Sequence, residues 1–174
     1  MSTLKSGFPA LQPAFVMKVD VGEGNPVGDI YTGSSFIHYN TPTGTLKTVE
    51  GFEPKIDAKV VFGGDWLYFD PDKQRARVNL KGVAKTDDGA SINFFYSGIA
   101  NINEPIQAIF AGSPEAKTIP FGQSTTIHGF ECGHPKYKFL ENHSWVGNGR
   151  FVVGDGTLTV ESRVSQVVPS KDMD

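Results

Sequence analysis

The feature that most constrains this chain is an alternation of apolar and polar residues with period two, restarted repeatedly after turns. Phe15, Met17, Val19 and Val21 share one side of an extended segment, with Lys18 and Asp20 on the other. Val78, Leu80 and Ala84 alternate with Asn79, Lys81 and Lys85, and Leu158, Val160 and Val164 with Thr159, Glu161 and Arg163. Alternate residues of a strand face opposite sides, so this pattern describes strands with one buried face. The chain carries 20 glycines and 11 prolines, scattered rather than clustered, which is how many short strands are punctuated by turns.

Strands are expected at 15–21, 31–39, 43–49, 57–62, 66–69, 77–85, 91–97, 125–130, 150–153 and 158–168, with a further apolar, aromatic stretch at 137–146. Gly22-Glu23-Gly24-Asn25-Pro26, Asp70-Pro71-Asp72-Lys73, Gly133-His134-Pro135 and Gly154-Asp155-Gly156 read as turns. Thr86-Asp87-Asp88-Gly89 reads as a hairpin, because Asp-Gly accepts the positive φ angles of tight turns. One short helix is expected over 104–111: Asn103 can cap it, Pro105 suits a first turn, and Gly112 and Pro114 end it. About nine or ten antiparallel strands must curl, split or close. The expected fold is therefore all-β: a single antiparallel barrel of about 8–10 strands with one short helix and a ligand-sized interior. A two-sheet sandwich is the alternative. Residues 1–12 read as a loose arm, 13–168 as the barrel domain and 169–174 as a tail.

Charge and composition narrow the partners. The net charge is -3 and there is no basic block, which argues against nucleic acid or an anionic membrane surface. The opening segment has no continuous apolar run and contains Pro9 and Pro13, unlike a secretory signal, and no apolar stretch is long enough for a spanning helix. A cytoplasmic protein is the expectation. Cys132 is the single cysteine, so no internal disulfide can form.

Three kinds of site chemistry find little support. His128, Cys132 and His134 have a spacing that matches no common metal site, so no metal is expected. There is no Gly-x-Ser-x-Gly elbow. The Gly-x-Gly pairs at Gly22, Gly147 and Gly154 precede no helix and cannot cradle a pyrophosphate, so no cofactor is expected. Acid-base chemistry remains, since it needs only an ionisable group held in a partly dry pocket. The candidates are Asp65, at a bend before Trp66, Glu131, and Glu141, a carboxylate in an apolar, aromatic stretch. Asp87 and Asp88 suit turn capping. If 137–146 is a strand, Tyr137, Phe139 and Glu141 share a face, and a lumen on that side would raise the pKa of Glu141. Tyr96, Trp66, Tyr137, Phe139 and Asn79 are the expected substrate contacts.

Several segments carry a resemblance: Gly63-Gly64-Asp65-Trp66, Thr86-Asp87-Asp88-Gly89-Ala90, Phe130-Glu131-Cys132-Gly133, Tyr137-Lys138-Phe139-Leu140 and the turn Val146-Gly147-Asn148-Gly149-Arg150. Together and in this order they resemble the domain-of-unknown-function family numbered 3237, from about Phe15 to Val168. The resemblance implies a calycin-like β-barrel and no established activity. The chain departs from the family pattern in lacking a spacer between Gly64 and Asp65. It also has Phe139 in place of Trp, Glu141 in place of Asn, and Asn79 in place of Asp. If positions 79 and 141 both face the lumen, the interior suits a different substrate. By analogy with barrels of natural-product pathways, the expected function is a cofactor-independent isomerase, cyclase or lyase. Its partner would be a small hydrophobic molecule, plausibly a polyketide or terpenoid intermediate. A non-catalytic carrier is the alternative, a filled barrel serving interactions is a third reading, and a homodimer is left open.

Overall fold

The computed structural model describes residues 7–154 and 156–171. Asp155, in one expected turn, lies outside them, as do residues 1–6 of the expected arm and 172–174 of the expected tail. The strands are β1 (Ala10–Val21), β2 (Gly24–Asp29), β3 (Ser35–Asn40), β4 (Gly44–Thr48), β5 (Asp57–Phe69), β6 (Arg75–Thr86), β7 (Ser91–Asn101), β8 (Ser124–Glu131), β9 (Trp145–Gly154) and β10 (Thr157–Val168). All neighbours are antiparallel. β1 and β4–β10 close the barrel: β10 returns to β1 with Val19 opposite Val160, and β5 pairs with β6. β5 is shared along one edge, with β4 on its first half and β3 on its second. β2 lies beyond β3. The all-β barrel with one short helix is thus the observed fold.

The alternation read from the sequence sets which residues turn inward. Along β7, Ile92, Phe94, Tyr96 and Ala100 are buried between more exposed neighbours. One end of the barrel is filled by Phe15, Met17, Leu46, Phe94, Leu140 and Trp145. The other end is covered by α1 (Glu104–Phe110). Asn103 caps α1 by accepting the Ile106 N–H at 3.1 Å, and Ile106 and Ile109 bury against Ile119 and the ends of β9 and β10.

Several local expectations are corrected. Residues 10–12 are not a loose arm: Ala10, Leu11 and Gln12 pair with Val168, Val167 and Gln166. Gly24, Asn25 and Pro26, read as part of a turn, begin edge strand β2, where Pro26 is tolerated beside a register shift. Segments 57–62 and 66–69 are one strand, bulged between Val60 and Phe62 and running through Gly63-Gly64. Residues 137–146 are not a continuous strand. Lys138–Asn142 form a single 3-10 turn, in which the Leu140 N–H meets the Tyr137 carbonyl at 3.1 Å. Pro135 cannot donate to a ladder, and Tyr137 and Leu140, three residues apart, both bury against the filled end. Residues 146–150 are not a turn either but the start of β9.

Gly98 in β7 shows how close the strands approach. A Cβ there would collide with the Thr125 carbonyl oxygen and lie 2.8 Å from the Thr126 Cα. Backbone cannot give way as a side chain can, so Gly98→Ala is expected to cost about 1–3 kcal/mol. Urea unfolding checks this, as a lowered midpoint at unchanged slope.

Candidate active site

Between the filled end and α1 the inward residues change character. β5 contributes Asp65, β3 contributes Tyr39, and Thr41 follows it. β7 contributes Tyr96, β8 Thr126 and β10 Ser162. These polar groups line a narrow cavity of about 40 Å³. The remaining wall is apolar and includes Leu67, Ala76, Val78, Ala100, Phe110 and Phe151. No Lys, Arg or His side chain is among the lining residues.

Asp65 is the ionisable centre of this space. One carboxylate oxygen accepts the Asn79 backbone N–H at 3.2 Å. Burial raises its pKa from 3.8 to about 6, against the lowering effect of that hydrogen bond. The Tyr96 hydroxyl is pushed well above its ordinary value by burial and by the charge of Asp65, and Tyr39 is raised by the same two causes. Both phenols therefore stay protonated and can donate hydrogen bonds to a bound oxygen. The Thr41 hydroxyl is buried and has no hydrogen-bond partner among the described residues.

His128 completes the layer. Its ring lies 4.6 Å from that of Tyr96, and Nε2 is 2.8 Å from the Thr126 hydroxyl. Burial lowers its pKa from 6.5 to about 3, so it is neutral at physiological pH. The space it occupies is made by Gly147 on β9, because a Cβ there would strike His128 Nε2 and Thr126 Oγ1. The Gly-x-Gly of residues 147–149, read from the sequence as a turn, is instead a gap in β9 that side chains of β8 fill.

The structure brings Asp65 and Tyr96 together and disperses the other expected site residues. Glu141 does not face the lumen: it is exposed on the 3-10 turn, where its carboxylate accepts the Cys132 N–H at 2.9 Å. Glu131 is exposed at the end of β8 and accepts the Asn93 side-chain amide at 2.6 Å. Trp66 lies on the outer face of β5, tilted against His38. The Asn79 side chain is exposed, and only its backbone N–H serves the site. Tyr137 is buried at the filled end and donates to Asp88 at 2.7 Å, so Asp88 latches the hairpin to the 3-10 turn. Phe139 packs beside Phe52 and Trp145 at the same end. Positions 79 and 141 therefore do not alter the lumen. His128, Cys132 and His134 do not converge, and among the described residues no three such side chains form a metal-sized group. Sequence reading missed Tyr39, Thr41, Phe110, Thr126 and Ser162. Tyr39 and Thr126 lie on strands that the alternation did mark, but the alternation does not say which buried positions meet a void. Among the described residues no helix is long and apolar enough to cross a membrane.

Comparison with known proteins places this geometry. The family model described as "Protein of unknown function (DUF3237)" matches residues 9–167. A "UPF0311 protein" of Rhodopseudomonas palustris (strain TIE-1) is 30% identical over 144 residues, covering 80% of this chain and 88% of that protein. Among solved structures, a conserved protein of unknown function from Rhodopseudomonas palustris superposes with a TM-score of 0.77 at 24% identity, covering 94% of this chain and 100% of that one. A structure described as an enzyme from Penicillium herquei superposes with a TM-score of 0.58 at 16% identity, covering 96% and 99%. At these identities the structural likeness concerns the fold alone.

Proposed function

Since the chain belongs to the DUF3237 family, which is described as having no known function, we propose its activity from its own lumen: it is a cofactor-independent isomerase, cyclase or lyase of the cytoplasm. Its substrate is a small, mostly apolar molecule, of the kind made in polyketide or terpenoid pathways. The observation that carries this reading is a carboxyl group with a pKa raised to about 6, beside two protonated tyrosines in a mainly apolar cavity. A carboxyl tuned in this way accepts a proton from a weak acid and returns it elsewhere on the same molecule. The tyrosine hydroxyls hold the oxygen on which charge develops, and the apolar wall excludes water and fixes the reacting conformer. The similar barrel described as an enzyme from Penicillium herquei supports a catalytic reading by analogy of fold.

The test is a proton-transfer assay in D₂O. The protein is incubated with a panel of hydroxylated polyketides and terpenoid enones, and the products are examined by mass spectrometry and NMR. Isomerised, cyclised or cleaved product carrying deuterium at one carbon is the expected result. Molecules that bind saturably in the lumen yet emerge unchanged and without deuterium would identify a carrier instead.

A further inference from the structure

Two hollows meet at three side chains. The lumen is lined by Val21, Tyr39 and Phe110, and the same three residues line a second, outer crevice beside α1. The crevice continues over Ile109, Ala116, Val153 and Leu158, all apolar. Phe110, the last residue of α1, stands on the boundary. Its ring is held by apolar contacts: edge-on to Phe69 at 5.5 Å and Phe151 at 5.4 Å, 6.3 Å from Tyr39, and packed against the clusters of Leu67 and Ala100 and of Ile106 and Ile119. Gly112 follows, at φ +64° with open space where a Cβ would be, and ends the helix there.

We propose that lumen and crevice are two compartments of one binding site, with the Phe110 ring as the gate between them. The ligand is an uncharged amphiphile: a compact oxygenated head reaches Asp65, and a single apolar tail passes Phe110 to lie against Ala116 and Leu158. This rests on the lumen being the ligand site, as the proposed function requires. The polarity of the two spaces sets the ligand class. In the lumen the one ionisable carboxyl, Asp65, stands with Tyr96 and several hydroxyl side chains, while the crevice beyond Phe110 has only Ser113, Thr157 and the shared Tyr39 as polar side chains among the described residues that line it. Among the described residues Asp65 is the one charged residue lining either compartment, and none of them offers a cation to a ligand carboxylate or phosphate. An aromatic ring held by dispersion and edge contacts can swing without breaking a hydrogen bond, which suits a gate.

The experiment uses the neutral dye N-phenylnaphthylamine as a fluorescent reporter and straight-chain alcohols from hexanol to dodecanol as competitors. In the wild-type protein affinity is expected to rise by about fourfold per methylene through the whole series, as the tail leaves water on both sides of the gate. Ala116→Glu places a charge in the crevice only. It is expected to weaken dodecanol by about tenfold or more while leaving hexanol within about twofold. Phe110→Ala, with folding checked by thermal melting, is expected to speed dye association by about tenfold. If Ala116→Glu affects both alcohols alike, or neither, the second compartment is not part of the site, although the lumen still binds. An unchanged association rate in folded Phe110→Ala removes the gate. If the wild-type protein binds neither dye nor alcohol, the lumen itself is not a ligand site and both readings fall.

Discussion

Asp65→Asn is expected to slow turnover by about a hundredfold to ten-thousandfold, the usual cost of losing a general acid or base, and at the same time to make the protein more stable at neutral pH. The two effects share one cause. Burial raises the Asp65 pKa from 3.8 to about 6, so the ionised form is disfavoured in the folded state. Near pH 7.5 that corresponds to a folding cost on the order of 3 kcal/mol. Asparagine keeps the acceptor for the Asn79 N–H and removes the charge, but its amide must find a partner. The net gain is therefore about 1–3 kcal/mol, or roughly 3–9 °C in melting temperature. The gain depends on pH with a fixed sign. A group whose folded pKa lies above its unfolded value favours folding below the unfolded pKa and loses that contribution as pH rises through the folded one. The mutant's advantage should thus be negligible below about pH 4 and complete above about pH 7. His128 has the opposite sign: its folded pKa is depressed from 6.5 to about 3, so its contribution is present above 6.5 and fades as pH falls toward 3. In the wild type the two slopes oppose each other between about pH 4 and 6; in Asp65→Asn the histidine slope stands alone. Thermal melts from pH 4 to 8 check the stability effect, and the turnover assay checks the rate. A mutant that is less stable than wild type at neutral pH, or equally active, would show that Asp65 is not the buried proton carrier.

The second large effect is expected at the filled end. Trp145 is fully buried, its Nε1 donates to the Leu140 carbonyl at 2.9 Å, and its ring lies 4.8 Å from Phe15 and 5.9 Å from Phe130. It ties β9 to β1, β8 and the 3-10 turn at once. Trp145→Ala is expected to cost about 3–5 kcal/mol from lost contacts and the cavity left behind. Trp145→Phe keeps much of the packing and strands the Leu140 carbonyl, at a cost of about 1–3 kcal/mol. Against the 5–15 kcal/mol that usually holds a domain together, the alanine variant is near the edge of folding. Chemical denaturation of both variants checks the order. A cost below about 1 kcal/mol for alanine would mean that this end is not the principal core.

These two sites were not equally legible in the sequence. The barrel was readable because period two is a local signal: it marks Phe15, Met17 and Leu80 as one-sided without reference to any partner strand, and all three are buried. The helix was readable because Asn103, Pro105 and Gly112 are local signals too. Asp65 and Tyr96 were legible as residue types suited to the chemistry, and the structure places them on one cavity. Glu141 was misread because an apolar, aromatic run looks alike in a strand and in a turn. The sign that distinguishes them is the three-residue spacing of Tyr137 and Leu140 after Pro135. Gly147 and Gly149 were misread for a related reason. Glycine marks a turn when the chain must bend and a gap when another strand's side chain needs room, and only the position of His128 across the sheet decides between them. Phe110 could not be read as a gate, because that role depends on where the end of α1 comes to rest over the barrel mouth.

The glycines of β9 have one more consequence. On that side the room left by the missing side chains is already taken: His128 and Thr126 fill the gap at Gly147, and Ser124 the gap at Gly149. Side chains seated against main chain that is fixed in ladders to β8 and β10 have few rotamers left to lose, so that part of the enclosure is ordered before any molecule arrives. β9 therefore acts on a bound molecule at one remove, by holding the Thr126 and Ser124 hydroxyls of the lumen wall in place.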